Sequence, residues 1–198
     1  MTTALASGFI DPPVESSHAF RTFMNAMAQP GTIQPLPVRT ENPQGLNKGS
    51  TLVMLTLADH EAPIWLDDTL NITSVTDYLK FHCNAPITAS ESAAMFAVFS
   101  SCPDRQTLEL FPVGTSEYPD ASTTFVIQVD GFHEEGDIAL SGPGIKTVNR
   151  FGVIGISQPF WDWVKHNNAR FPLGHDVLLV SDDAIVALPR TVRVMEVA

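Results

Sequence analysis

His133, Glu134, Glu135 and Asp137 crowd into one short stretch and carry the side-chain types that hold metal ions. Adjacent side chains diverge, whereas a metal needs ligands that converge. The cluster therefore reads as a solvated loop between two strands, and no metal site is expected. Gly131 and Gly136 have the glycine spacing of a phosphate-binding loop, but Asp137 and Ile138 stand where Lys and Ser/Thr would hold phosphate and metal. Gly142-Pro143-Gly144 lacks the third glycine of a dinucleotide fingerprint and places a proline where a donor N–H would help. The sequence contains neither a G-x-S-x-G elbow nor an H-E-x-x-H pair. Catalytic residues are left unassigned.

Three smaller constellations survive as candidate ligand contacts. His82 and Asn84 fall just after a predicted helix, where a helix C-terminus favours a polar or cationic group. If the chain has a ligand pocket, its expected place is where they meet the turn of Gly142 and Gly144, since turns place backbone N–H groups outward. Asp176 and Arg190 both abut apolar strands, where an unpaired charge is costly, so each is expected to have a partner, a mutual ion pair being one hypothesis. Lys146 and Arg150 open a basic segment that reaches Arg170 with Asp162 as its lone acid, and they are candidates for an anionic ligand or an acidic partner surface.

These residues need a scaffold, and the composition describes one. The 198 residues are 44% hydrophobic and 17% charged, long enough for a single domain over 1–198 that needs no disulfide or metal. Cys83 and Cys102 are in no metal-binding spacing and read as reduced thiols. The net charge of −11 argues against nucleic acid and against anionic membrane surfaces. The acids concentrate in two base-free stretches, Asp59–Asp77 and Glu109–Asp137, which would not attract ATP. The apolar runs are too short to span a bilayer, and no basic residue precedes Arg21, so a cytoplasmic protein is expected.

Periodicity supplies the elements. Residues 1–15 look irregular. Phe20, Phe23, Met24 and Met27 share one helical face, predicting a helix over 17–28 capped by Ser16 or Ser17 and stopped by Pro30-Gly31. Ser50 caps a second helix through Leu57, with a buried strand as the competing reading. Further helices are predicted from Thr73 to about Phe81, from Pro103 through Phe111, and over Trp161–Asn168. Strands are predicted within 32–38, at 64–66, 95–99, 123–129, 138–140 and 192–197, with a hairpin formed by 177–180 and 185–188. Alternating strands and helices point to α/β layers on a mixed sheet, antiparallel towards its end.

The order of short blocks resembles one family. Phe20-Arg21, Met24 and Ala26-Met27-Ala28, followed by Pro30-Gly31, form the first block. Leu55-Thr56-Leu57-Ala58-Asp59 with Pro63-Ile64-Trp65-Leu66 forms the second. Phe81-His82, Asn84-Ala85-Pro86, then Leu140–Ile145, Phe171–Gly174 with Asp176, and Pro189-Arg190-Thr191 complete the series. From Phe9 onward the chain resembles the H subunit of the carbon–phosphorus lyase system. That resemblance implies a three-layer α/β/α fold similar to the large domain of type I pyridoxal-phosphate transferases, with the cofactor lost. It also implies a cytoplasmic homodimer when isolated, and assembly with the G, I, J and L subunits. Jointly these displace adenine from ATP with methylphosphonate, so ATP is a substrate of the complex while this chain binds no cofactor. An independent small-molecule or nucleotide-binding enzyme with a pocket near His82 and Asn84 is the alternative. A pyridoxal-phosphate transferase, which would need a Schiff-base lysine such as Lys146, is the third reading.

Overall fold

A computed structural model describes residues 5–38 and 40–197. Four parallel strands form its centre: β2 (Ile64–Leu66), β3 (Phe96–Phe99), β4 (Thr124–Gln128) and β7 (Val177–Val180). β8 (Ala184–Leu188) turns back antiparallel on β7, and β1 (Gln34–Pro35) pairs with β8, giving the order β1-β8-β7-β4-β3-β2. The outermost strands are short: β1 has two residues, including Pro35, and β2 has three.

Both faces of this sheet are buried, so its strands are continuously apolar rather than alternating. Ile64, Leu66, Val98, Val126, Leu178 and Ile185 point to one face, where α1 (Pro12–Ala28), α2 (Lys48–Leu57) and α3 (Thr73–Cys83) pack through Phe23, Leu52 and Leu79. Phe99, Phe125, Ile127, Leu179, Val186 and Leu188 point to the other. There they meet Trp161, Trp163 and Val164 of α5 (Gln158–Ala169) and Leu108 of the short α4 (Arg105–Leu108). A second, antiparallel sheet of order β6-β5-β9 covers the remainder. It comprises β5 (Gly131–Ser141), β6 (Asn149–Ile154) and β9 (Arg193–Val197), with Ile138, Leu140, Phe151 and Val194 turned inward. The expectation of a three-layer α/β/α sandwich is thus corrected on one face: that layer is part helix and part sheet.

Several boundaries differ from the sequence reading, each for a local reason. Helix α1 begins at Pro12, not after residue 15, because two prolines occupy positions whose N–H groups would be orphaned anyway. Glu15 then accepts from the N–H of Ile10 (2.7 Å) and Asp11 (3.2 Å), so Ser16 and Ser17 lie inside the helix. Residues 1–4 of the segment expected to be irregular lie outside the described residues. The second helix wins over the competing strand, but its cap is Asn47, whose Oδ1 accepts from the Ser50 N–H at 2.8 Å. The predicted loop at His133–Asp137 is part of β5, and β6 has no counterpart in the sequence reading. Gly136 lies so close to the backbone at Phe151 and Gly152 that no Cβ fits between them. This close approach admits glycines and acids that strand propensity disfavours.

Candidate functional site

His82 and Asn84 end α3 and serve its packing. The His82 ring lies on Tyr78, centroids 4.4 Å apart, and its Nε2 is 3.1 Å from the Ala6 carbonyl. A Cβ on Gly8 would come 2.7 Å from its Nδ1, so the ring holds the incoming chain against α3. Asn84 adopts φ 54° and caps the helix, its N–H donating to the Lys80 carbonyl. Gly144 packs instead against Ala28 and Pro30, and Gly142 against the Thr191 carbonyl. His82 borders Pro12 and Ser16, one end of α1, whereas Gly144 meets the other. The helix between Ser16 and Ala28 spans about 18 Å. The pocket expected between His82/Asn84 and Gly142/Gly144 therefore does not form.

Lys146 is exposed on the turn before β6, and Arg150 projects from β6 beside Glu134 at a cavity of about 360 Å³ that Lys146 does not line. The mutual ion pair of Asp176 and Arg190 is present. Arg190 Nη2 donates to Asp176 Oδ2 at 2.7 Å and to Ser122 Oγ at 2.7 Å, while Nη1 reaches the Pro119 carbonyl at 2.6 Å. The Arg190 backbone N–H donates to Asp176 Oδ1 at 2.8 Å. The pair is only 13% and 21% exposed, and it ties the entry to β4, the entry to β7 and the exit from β8 into one knot. All of its donors are spent on the protein itself, at the amino ends of the parallel strands.

The opposite, carboxyl ends carry the candidate site, as open α/β sheets favour. Each parallel strand runs out into serine or aspartate: Asp67-Asp68 after β2, Ser100-Ser101 after β3, Asp130 after β4, and Ser181-Asp182-Asp183 after β7. A crevice of about 550 Å³ opens among Asn47, Ser101, Gln128, Asp130, Ser181 and Asp182. Its frame is fixed by hydrogen bonds. Asp67 accepts from the Ser100 N–H (2.6 Å) and hydroxyl (2.7 Å), and Gln128 donates to the Gly45 carbonyl at 3.1 Å. Asn47 Nδ2 donates to the Val180 carbonyl at 2.8 Å. The N-terminus of α2 points here, yet its donors are already used: Lys48 N–H by Asp182 (2.9 Å), Gly49 N–H by the Ser181 carbonyl (3.1 Å), and Ser50 N–H by Asn47. A phosphate would meet carboxylates and no free helix donors. The sequence reading missed this edge. Its signal was present as a Ser or Asp just past each apolar run.

One further residue escaped notice. His175 is buried, stacked on Phe125 with centroids 4.3 Å apart, and its Nδ1 lies 3.0 Å from the Thr123 carbonyl. Burial is the main cause that lowers its pKa to about 4, with Arg170 and Arg190 adding to the shift, so the ring is neutral at pH 7 and acts as packing. Burial likewise pushes the Cys83 thiol up to about 12. Among the described residues, no group of three His, Cys, Asp or Glu side chains could hold a metal ion.

Fold and site together define a mixed-sheet α/β protein with a polar, carboxylate-rich crevice at the carboxyl edge, and among the described residues no histidine, lysine or cysteine lines that crevice. The comparisons with known proteins are consistent with each other. The chain belongs to the bacterial phosphonate metabolism protein (PhnH) family, which it matches over residues 7–195. It is 35% identical over 188 residues to the "Alpha-D-ribose 1-methylphosphonate 5-triphosphate synthase subunit PhnH" of Rhizobium meliloti (strain 1021), covering 95% of this chain and 94% of that protein. It is 33% identical over 177 residues to the "Putative C-P lyase subunit protein HtxG" of Stutzerimonas stutzeri, covering 89% and 84% respectively.

Proposed function

We propose that this chain is a subunit of the carbon–phosphorus lyase system of phosphonate catabolism. With the G, I and L subunits it assists the displacement of adenine from ATP by methylphosphonate, which gives α-D-ribose 1-methylphosphonate 5-triphosphate. The observation that carries this reading is the near end-to-end likeness to the Rhizobium meliloti synthase subunit. The site supports a helper's share of the work: among the described residues, the larger crevice offers no histidine, lysine or cysteine as base or nucleophile and no cation for a triphosphate. On this reading the isolated chain is inactive and the partners hold the phosphates.

The same reading includes G, I, J and L as partners, a homodimer in isolation, and a cytoplasmic location. Phe20 and Met24, about half exposed on α1, support a surface covered by another chain. No helix among the described residues is long and apolar enough to cross a membrane, which suits that location. The parallel core β2-β3-β4-β7 supports a relation to the large domain of type I pyridoxal-phosphate transferases. The residues do not fit the cofactor itself, because neither carboxyl-edge cavity has a lysine for a Schiff base.

The test is complementation and co-purification. A strain lacking its own H subunit should regain growth on methylphosphonate when it expresses this chain, and the chain should co-purify with tagged G and I subunits. Failure of both would refute the assignment.

A further inference from the structure

Two cavities adjoin along the carboxyl ends of the parallel strands. The crevice of about 550 Å³ meets a second of about 490 Å³ at Ser101, which lines both. Asp67, from the second, holds Ser100, from the first, through two hydrogen bonds. The combined groove crosses β2, β3, β4 and β7, three steps of about 4.8 Å each, or roughly 14 Å. That length suits about four residues of extended chain.

The lining has one sign. Asp68, Glu91, Asp130 and Asp183 receive no side-chain hydrogen bond or ion pair from any described residue, and Asp182 lends one oxygen to the Lys48 N–H. Among the described residues, no lysine, arginine or histidine lines either cavity. Apolar surface lies between the acids, from Trp65 and Phe99 in one cavity to Ile33 and Phe132 in the other. Long basic side chains want this combination: stems on apolar surface, heads on carboxylates. An anionic ligand is repelled, and a small cation lacks converging ligands among the described residues.

We propose that this groove docks an extended lysine- or arginine-bearing segment of a partner subunit. The proposal rests on the subunit role proposed above and names the face that subunit uses. Exposed charges act mainly on association rate and salt dependence, and their reach shrinks to about 10 Å at 0.1 M salt.

The experiment compares three full-length chains for affinity to the remaining synthase subunits, titrated between about 50 and 300 mM NaCl. They are wild type, the groove variant D130N/D182N/D183N, and a control E134Q/E135Q/D137N that removes the same charge from β5. The Asp182→Asn change keeps a side-chain oxygen for the Lys48 N–H, and thermal melts verify that all three fold. The groove variant should bind about tenfold more weakly at low salt, with a flattened salt dependence, while the control stays within about threefold of wild type. If the groove variant binds like the control, the groove is not the docking face, and the subunit role stands. If the wild-type chain itself fails to associate, the subunit role falls and the groove proposal with it.

Discussion

Arg190→Ala tests the knot at the amino ends of the strands. The substitution removes the guanidinium contacts to Asp176 (2.7 and 3.3 Å), Ser122 (2.7 Å) and Pro119 (2.6 Å) and leaves the Asp176 carboxylate with the Arg190 backbone N–H. Breaking a fully buried pair from one side costs about 3–5 kcal/mol, much of it the stranded charge. Here the side chains keep 13% and 21% exposure, so water relieves part of that cost and about 3 kcal/mol is expected. Asp176→Ala should cost a similar amount, because it strands the cation instead. The double variant strands neither, so it should be more stable than the two single losses summed, with a coupling of about 2 kcal/mol. Arg190→Lys keeps the charge but loses the fork that reaches Ser122 and Pro119 together, and it should recover less than half of the loss. Urea unfolding followed by fluorescence of the buried Trp161 and Trp163 reads each value. A coupling below about 0.5 kcal/mol would show that the pair is mere proximity.

Three other outcomes follow from the same structure. His175 has a folded pKa of about 4 against an ordinary 6.5, so between those values the unfolded chain binds more protons, and stability must rise with pH. Denaturation at pH 7 and pH 4.5 should differ by about 2 kcal/mol from this group, and His175→Gln should flatten the difference. Gly136→Ala drives a Cβ into the backbone of Phe151 and Gly152 and should cost about 3 kcal/mol, with no rescue by His133→Ala; the nearest atoms to a Cβ on Gly152 are those of the His133 ring, so Gly152→Ala should be rescued by His133→Ala. Thiol titration of the folded chain at pH 8 should label Cys102 quickly and Cys83 only after denaturant is added, because burial keeps the Cys83 proton in place.

The legible parts of the fold were those in which local pattern and burial agree. Val177–Val180 and Ala184–Leu188 are apolar runs joined by a polar turn, and they form the expected hairpin. Pro30-Gly31 stops α1 close to where it was predicted to stop. The first half of β5 was obscured because Gly136 and its acids have low strand propensity, and β6 because Gly152 interrupts a short run; they pair where Gly136 and Gly152 let two backbones approach, a long-range fact. Away from the crevice, the partnering of Asp176 and Arg190 was legible because charges beside apolar strands demand partners. His82 and Gly144 could not be separated by reading alone: the length of α1 between them becomes a distance only once both pack against the same helix. The acidic carboxyl edge was hidden for a related reason. Asp67, Ser100, Asp130 and Asp182 are far apart in sequence and become neighbours only through strand order.

The stunted rims of the main sheet also bear on crowding. A sheet edge with free N–H and C=O groups invites another strand to zip onto it, the first step of ordered aggregation. At one rim β1 offers two residues and Pro35, which has no N–H to donate; at the other β2 is three residues long and is flanked by a bridge from Ile64 to Ile87. Neither rim gives a second molecule enough register to grip. Concentrated solutions should therefore resist fibril growth from this sheet.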